Sequence, residues 1–351
     1  MTWLLYGAYG YTGTLIAHLA AERGLRPILA GRDAGRTAAL ASALGLPHRV
    51  FDLKDAARHL DGVAAVLHCA GPFARTAKPM IDACIECGVH YLDITGEIGV
   101  FELAHRRGPV AASKGVMLLP GVGFDVVPSD CLAAHVAAAL PGAARLALAF
   151  HSAGRMSHGT ASTMAMHLGL GGAVRRGGAI VATPPGHAQR EVDFGDGPRT
   201  VVSIPWGDVS TAYYSTGIGD IIVYLSLPTS LRLALRASAL AGPLLRTAWV
   251  RSRLQRRIDA APPGPTAEQR LRTRASLFAE AVTEDGRMAT ASLETPDGYD
   301  LTADAAILFA ERVVAGAARP GFQTPSLLLG PDIVLACKGV RRRDATVTAR
   351  E

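Results

Sequence analysis

Lysine is nearly missing from this chain: Lys and Arg together number 36, yet lysine stands only at positions 54, 78, 114 and 338. The arginines are scattered apart from Arg251, Arg253, Arg256 and Arg257, so no basic tract marks a nucleic-acid surface. The net charge of +6 fits solvated arginines or a small ligand carrying phosphate. Cysteines number five, odd and widely spread, which excludes a disulfide framework and points to reduced thiols. Cys84 and Cys87 form a CxxC, but no second pair of ligands follows; both read as helix core, and no metal site is expected. No uncharged apolar run reaches about 18 residues, so no membrane-spanning helix is expected. No charged leader with a cleavage site precedes Trp3, and the expectation is a cytoplasmic chain. Aromatics are 6% against 49% hydrophobic residues, so the core is aliphatic, and 351 residues suit two lobes.

What is present begins almost at once. The apolar run Leu4-Leu5-Tyr6 enters Gly7-Ala8-Tyr9-Gly10-Tyr11-Thr12-Gly13, and a helical pattern through Leu15, Ile16, Leu19 and Ala20 follows, ending at Gly24. Strand, tight turn and helix in that order aim backbone N–H groups and the positive end of a helix dipole at a pyrophosphate. Gly7 takes the turn, Gly10 admits the phosphates, and Gly13 permits close helix–strand contact. A second strand through Ile28 ends at Arg32, about 20 residues beyond the glycines. A dinucleotide fold selects its cofactor at that strand end, and an arginine there matches the 2′-phosphate of NADP. Asp33, one step later, offers the ribose contact of NAD instead; Arg32 favours NADP(H).

Further strands are predicted at 48–51, 63–69, 90–93 and 116–119, alternating with helices. Six such strands indicate an α/β doubly wound Rossmann domain. Asp52, at the third strand's end, reads either as a contact to the adenine amino group or as a helix N-cap. Ala70-Gly71-Pro72-Phe73 breaks the fourth strand and should lie beside the cofactor. Pro79 is read as a helix start and Gly88 as its end. Asp125, past the sixth strand, is either a carboxylate at the crevice mouth or a turn residue.

The second lobe is predicted to be α+β on a mainly antiparallel sheet. A helix Asp130–Leu140 would be capped by Ser129, and strands are expected at 145–151, 199–204, 220–227, 275–283 and 287–295. The last two join through Glu284-Asp285-Gly286, a hairpin signal. Ser157–Thr163 enters a helix whose N-terminus either holds an anion or is simply capped. Tyr213 is either a proton donor or a packed aromatic. Leu231–Ile258, rich in leucine and arginine, reads as amphipathic helices: a packing or dimer element, or a lid and peripheral contact for a lipid-like substrate. Leu301–Ala315 is a final amphipathic helix. The domains are set at 1–125 for the dinucleotide, 126–300 for substrate and dimerisation, and 301–351 returning to the first domain.

Four motifs occur in order: Gly7–Gly13, Cys69-Ala70-Gly71-Pro72-Phe73, Tyr91-Leu92-Asp93-Ile94-Thr95-Gly96-Glu97, and Gly123-Phe124-Asp125-Val126-Val127-Pro128-Ser129-Asp130. Together with Ile204-Pro205-Trp206-Gly207-Asp208 and Pro320–Pro325, the chain resembles the saccharopine dehydrogenase-like oxidoreductases, in the branch of the bacterial trans-acting enoyl reductases. The resemblance implies NAD(P) binding by the Rossmann domain and an NADPH-dependent reduction of an activated, apolar enoyl or acyl substrate. Asp125 and Tyr213 are the candidate proton donors. No Tyr-x-x-x-Lys pair exists, so the dyad of short-chain dehydrogenases is not expected. Two alternatives stay open: imine reduction of the saccharopine type, served by Arg155, Arg175 and Arg176, and an NADP-binding partner protein without turnover.

Overall fold

The computed structural model describes residues 2–152, 154–167, 171–235 and 247–349. They divide into two compact units, Met1–Val127 with Gly298–Leu329, and Pro128–Asp297 with Gly330–Glu351.

The first unit is an open parallel sheet. Strands β1 (Thr2–Tyr6), β2 (Ile28–Gly31), β3 (His48–Val50), β4 (Val63–His68), β5 (His90–Asp93) and β6 (Met117–Leu119) lie in the order β6-β5-β4-β1-β2-β3. Every pair is parallel, and Gly321–Phe322 adds a short seventh strand beside β6. The strand order reverses between β1 and β4, where α/β sheets open a crevice at the carboxyl ends of their strands. Helices α1 (Tyr11–Glu22), α2 (Ala34–Leu44), α3 (Phe73–Cys87) and α4 (Ile98–Ser113) connect the strands. The buried face of α1 is Gly13, Ile16, Ala17 and Ala20, small enough to bring the helix close to the sheet.

Three expectations for this unit change. Pro79 lies inside α3, not at its start, because the helix already opens at Phe73 on a cap described below. Cys84 is buried as expected, but Cys87 is exposed, one residue before the Gly88 stop. The final helix, Gly298–Arg312, is buried on nearly all sides rather than amphipathic; Leu301 to Ile307 are all buried, Asp304 among them, where it pairs with Arg23.

The second unit is built on a mixed, mainly antiparallel nine-stranded sheet. Its strands are β7 (Ala143–Ser152), β8 (Gly172–Arg176), β9 (Ala179–Thr183), β10 (Gln189–Asp193), β11 (Pro198–Ser203), β12 (Asp220–Ser226), β13 (Arg274–Thr283), β14 (Met288–Pro296) and a last strand Arg341–Thr348. Only β7 and β12 pair in parallel. The predicted β13–β14 hairpin is present, turning at Gly286 with φ +89°. The stretch between 171 and 199, where no strand is predicted, holds β8, β9 and β10. The β8–β9 hairpin turns on Gly177-Gly178, both at positive φ, as a two-residue primed turn requires.

Helix α5 (Val127–Ala139) starts earlier than predicted, with Ser129 inside its first turn. The buried Ser129 hydroxyl donates to Asp208 of α7 (Asp208–Thr216) at 2.8 Å, and Ser215 of α7 donates to Asp130. The motifs at 123–130 and 204–208 therefore meet at the buried carboxylate of Asp208. Helix α6 (His158–His167) opens on Ser157, whose Oγ accepts from Thr160 N, so capping accounts for that end. Within 231–258, residues 236–246 lie outside the described residues; a helix Ala248–Asp259 follows, with Trp249 exposed.

The C-terminal stretch divides. Residues 298–329 belong to the first unit, but 330–351 belong to the second, whereas the sequence places all of 301–351 with the first. The reason is pairing: Arg341–Thr348 adds to the edge of β14, with Arg342 between Asp332 and Asp344. No described helix is long and apolar enough to cross a membrane.

Candidate functional site

The glycine turn is forced by its surroundings. Gly7 has φ +84°, and its N–H and that of Ala8 both donate to Ala30 O, pinning the end of β1 to β2. A Cβ on Gly7 would stand 2.8 Å from Ala70 N, so the first loop lies directly on the loop after β4. A Cβ on Gly13 would run into Gly7 O and reach 3.0 Å from Ala8 Cα. Gly10 caps α1 without a side chain to bond the helix's first amides. Ala8 is buried, Thr12 sits in the first turn of α1, and Tyr11 packs edge-on against Tyr299 at 5.0 Å. A side-chain-free helix N-terminus beside three glycines fits a pyrophosphate.

Arg32 is exposed just beyond β2 and pairs with no carboxylate among the described residues. Asp33 is committed: its Oδ1 accepts from Arg36 N at 3.0 Å as the N-cap of α2. At this strand end the arginine is exposed and the carboxylate serves as a helix cap. Arg36, which sequence reasoning passed over, lies 4.5 Å over the Tyr9 ring and donates to Tyr9 O at 3.1 Å. Gly31 leaves the space that the Tyr9 ring fills. Asp52 takes the cap role, accepting from Lys54 N at 3.2 Å.

The loops after β4, β5 and β6 are bound into one network. Asp93 is fully buried; Oδ1 accepts from Thr95 N and Gly121 N, both at 2.9 Å, and Oδ2 from Tyr91 OH at 2.7 Å. Burial lifts its carboxyl to about 6 against the pull of those three donors. Thr95 Oγ1 accepts from Glu97 N, and the buried Glu97 carboxylate receives Phe73 N and Ala74 N, each at 2.9 Å. That bidentate cap starts α3 at Phe73 and holds Ala70-Gly71-Pro72, whose Gly71–Pro72 bond is cis, beside Gly7. His68, ending β4 among Tyr6, Phe73 and Tyr91, is fully buried with neither ring nitrogen bonded, and burial lowers its pKa to about 3.

Asp125 belongs to this unit and lies against the β5 loop. A Cβ on Gly96 would come within 2.7 Å of its Oδ2, so glycine there makes room for the carboxyl. Burial raises Asp125 to about 6. Tyr213 is in the other unit, on α7, with the Arg175 guanidinium 4.2 Å over its ring. Arg175 is itself buried, donating to Val209 O and Gly178 O. No group of three or more His, Cys, Asp or Glu among the described residues is placed to hold a metal.

A parallel sheet in this order, with a glycine turn and an uncapped helix end after β1, defines a domain of the dinucleotide-binding class. Residues 3–118 match the family model of the saccharopine dehydrogenase NADP-binding domain. Trans-acting enoyl reductases of Mycobacterium tuberculosis and Mycobacterium leprae are 35% and 36% identical over 142 and 141 residues. Each match covers 36% of this chain and 33% of the relative, so the chain matches only a third of their length. Saccharopine dehydrogenase (L-Glu forming) from Saccharomyces cerevisiae shares the fold over 99% of this chain and 100% of its own, with a TM-score of 0.68 at 11% identity. An amine dehydrogenase from Mycobacterium smegmatis aligns over 93% and 95%, with a TM-score of 0.52 at 14% identity.

Proposed function

We propose that the protein is an NADPH-dependent oxidoreductase that reduces an activated, apolar substrate of enoyl or acyl type. The observation that carries the cofactor choice is the pair Arg32 and Asp33: one open to a 2′-phosphate, the other used up as a helix cap. The substrate class rests on the names of the mycobacterial relatives. When bound, the reduced nicotinamide supplies the hydride. The backbone around Gly7, Gly10 and Gly13 binds the pyrophosphate, Ala70 to Phe73 back it, and Arg32 pairs with the 2′-phosphate.

Asp125 is the stronger of the two donor candidates. A carboxyl held near 6 keeps a protonated fraction at neutral pH and can pass its proton to the carbanion left by hydride addition. Tyr213, stacked beneath Arg175, is better suited to packing. Of the three arginines offered for the imine reading, Arg175 is turned to backbone carbonyls. Following NADPH absorbance with enoyl thioesters of several chain lengths tests the proposal; oxidation with some of them is expected, and none at any length overturns it.

Arg32→Ala is expected to weaken NADPH about 10- to 100-fold, as loss of a charge-assisted contact does, while NADH changes by less than about 3-fold. Equal losses for both cofactors would remove the 2′-phosphate role. Asp125 also predicts a pH effect on stability. Folding raises its pKa from 3.8 to about 6, so its contribution is full below about pH 4 and is lost as pH rises through 6. Asp125→Asn should therefore erase roughly 2 kcal/mol of the wild-type gain in stability between pH 7 and pH 4. Urea titrations at both pH values check this, and parallel curves for the two proteins would refute it.

A further inference from the structure

The second unit holds a cavity of about 540 Å³ on one face of its sheet, within the range of small-molecule sites. Its floor is apolar: Ala147 of β7 lies beside Ile222 of β12 on one side and Glu280 of β13 on the other, with Val174, Val282 and Met288 around them. Its charge is unbalanced. Four arginines, 145, 175, 176 and 190, face two carboxylates, Asp220 and Glu280.

The partners of these groups decide which charges are available. Arg190 and Glu280 cancel in a bidentate pair at 2.7 and 2.9 Å. Arg175 is turned to backbone carbonyls, and Asp220 accepts from Gly177 N at 2.7 Å. Arg145 and Arg176 remain, and neither side chain makes a hydrogen bond or ion pair to another described residue. His187, held by Ser203 at 2.9 Å, and Tyr224 add neutral polar groups to the lining. Arg145 and Arg176 are both exposed at the rim, where an incoming anion can reach them, and the apolar floor below would be wasted on a purely polar ligand.

We propose that this cavity binds an anion carried on an apolar chain, with the head at Arg145 and Arg176 and the chain along Ala147 and Ile222. The head is a carboxylate or a phosphate, as in a free acyl acid or a phosphorylated acyl carrier. The site stands apart from the reductase reading, because occupancy is measured without turnover.

Isothermal titration of the full chain with dodecanoate and with dodecyl phosphate, below their micelle concentrations, tests it. Saturable binding of at least one anion, near one per chain, is expected; the tighter of the two identifies the head group. Dodecanol should bind at least 10-fold more weakly. The double variant Arg145→Gln/Arg176→Gln should lose at least 10-fold, whereas Arg155→Gln, exposed and outside the cavity, should not. The two arginines are at the cavity's edge, and an unchanged melting temperature of the double variant would verify that it folds. Absence of saturable binding for both anions, equal affinity for dodecanol, or an unaffected double variant would each overturn the proposal.

Discussion

Replacing Asp93 by alanine is expected to lower the unfolding free energy by about 4 kcal/mol. The substitution removes one acceptor group and orphans three donors at once: Thr95 N, Gly121 N and Tyr91 OH, all reported above within 2.9 Å of the carboxylate. Each buried donor left without a partner costs about 1–3 kcal/mol, and local relaxation keeps the total below the sum. Tyr91→Phe, which removes a single donor, should cost about 1 kcal/mol. NADPH affinity should fall together with stability in Asp93→Ala, because the same network places Glu97 at the start of α3 and Ala70 against Gly7. Urea unfolding followed by Trp3 fluorescence, in a Trp206→Phe/Trp249→Phe background, reports on the first unit. A loss under about 1 kcal/mol would show that the network is not what joins these loops.

That network also explains what the sequence could and could not reveal. The motif at 91–97 is plain as a string of residues, but its work is done by contacts across strands. Glu97 reaches residues 73 and 74, and Asp93 reaches residue 121; no spacing rule encodes either span. Local features were legible because they obey local rules. The glycines, the strand–helix alternation, the Gly88 stop and the position of Arg32 all follow from backbone sterics and hydrophobic period. Asp52 carries two readings and Asp33 only that of a ligand, although an acidic residue after a strand suits a cap as well as a ligand; both accept from a helix N-terminal amide.

The second unit was less legible for a different reason. Strands β8 to β10 carry Gly172, Arg175, Arg190 and Glu191, which hide the alternation that marks a strand. Arg175 reads as a ligand for a substrate carboxylate, yet it is buried, bonded to two backbone carbonyls and stacked on the ring of Tyr213. Arg341-Arg342-Arg343 carries no strand signal of its own, and becomes an edge strand by pairing with β14. The strands predicted at 145–151, 199–204, 220–227, 275–283 and 287–295 are all present, and the last two bury every second residue, a clean period of two.

Gly13→Ala is expected to weaken NADPH at least 100-fold and to cost about 3 kcal/mol of stability, the upper range for a forced overpacking. The new methyl would overlap Gly7 O and press on Ala8, both backbone, so no side chain can turn aside to admit it. Helix α1 must move off the end of β1, carrying away the amides that the site depends on. Two other glycines separate this effect from a general intolerance of substitution. At Gly10 a Cβ meets only Gly7 O at 3.2 Å, so alanine there should be milder in stability. At Gly24 a Cβ meets nothing within 4 Å, and only its φ of +74° is strained. Gly24→Ala should cost about 1 kcal/mol and leave NADPH binding unchanged. Fluorescence titration with NADPH and thermal melts on the three variants give the order. If Gly13→Ala bound NADPH as tightly as Gly24→Ala, the close seat of α1 on the first turn would not be what forms the pyrophosphate site.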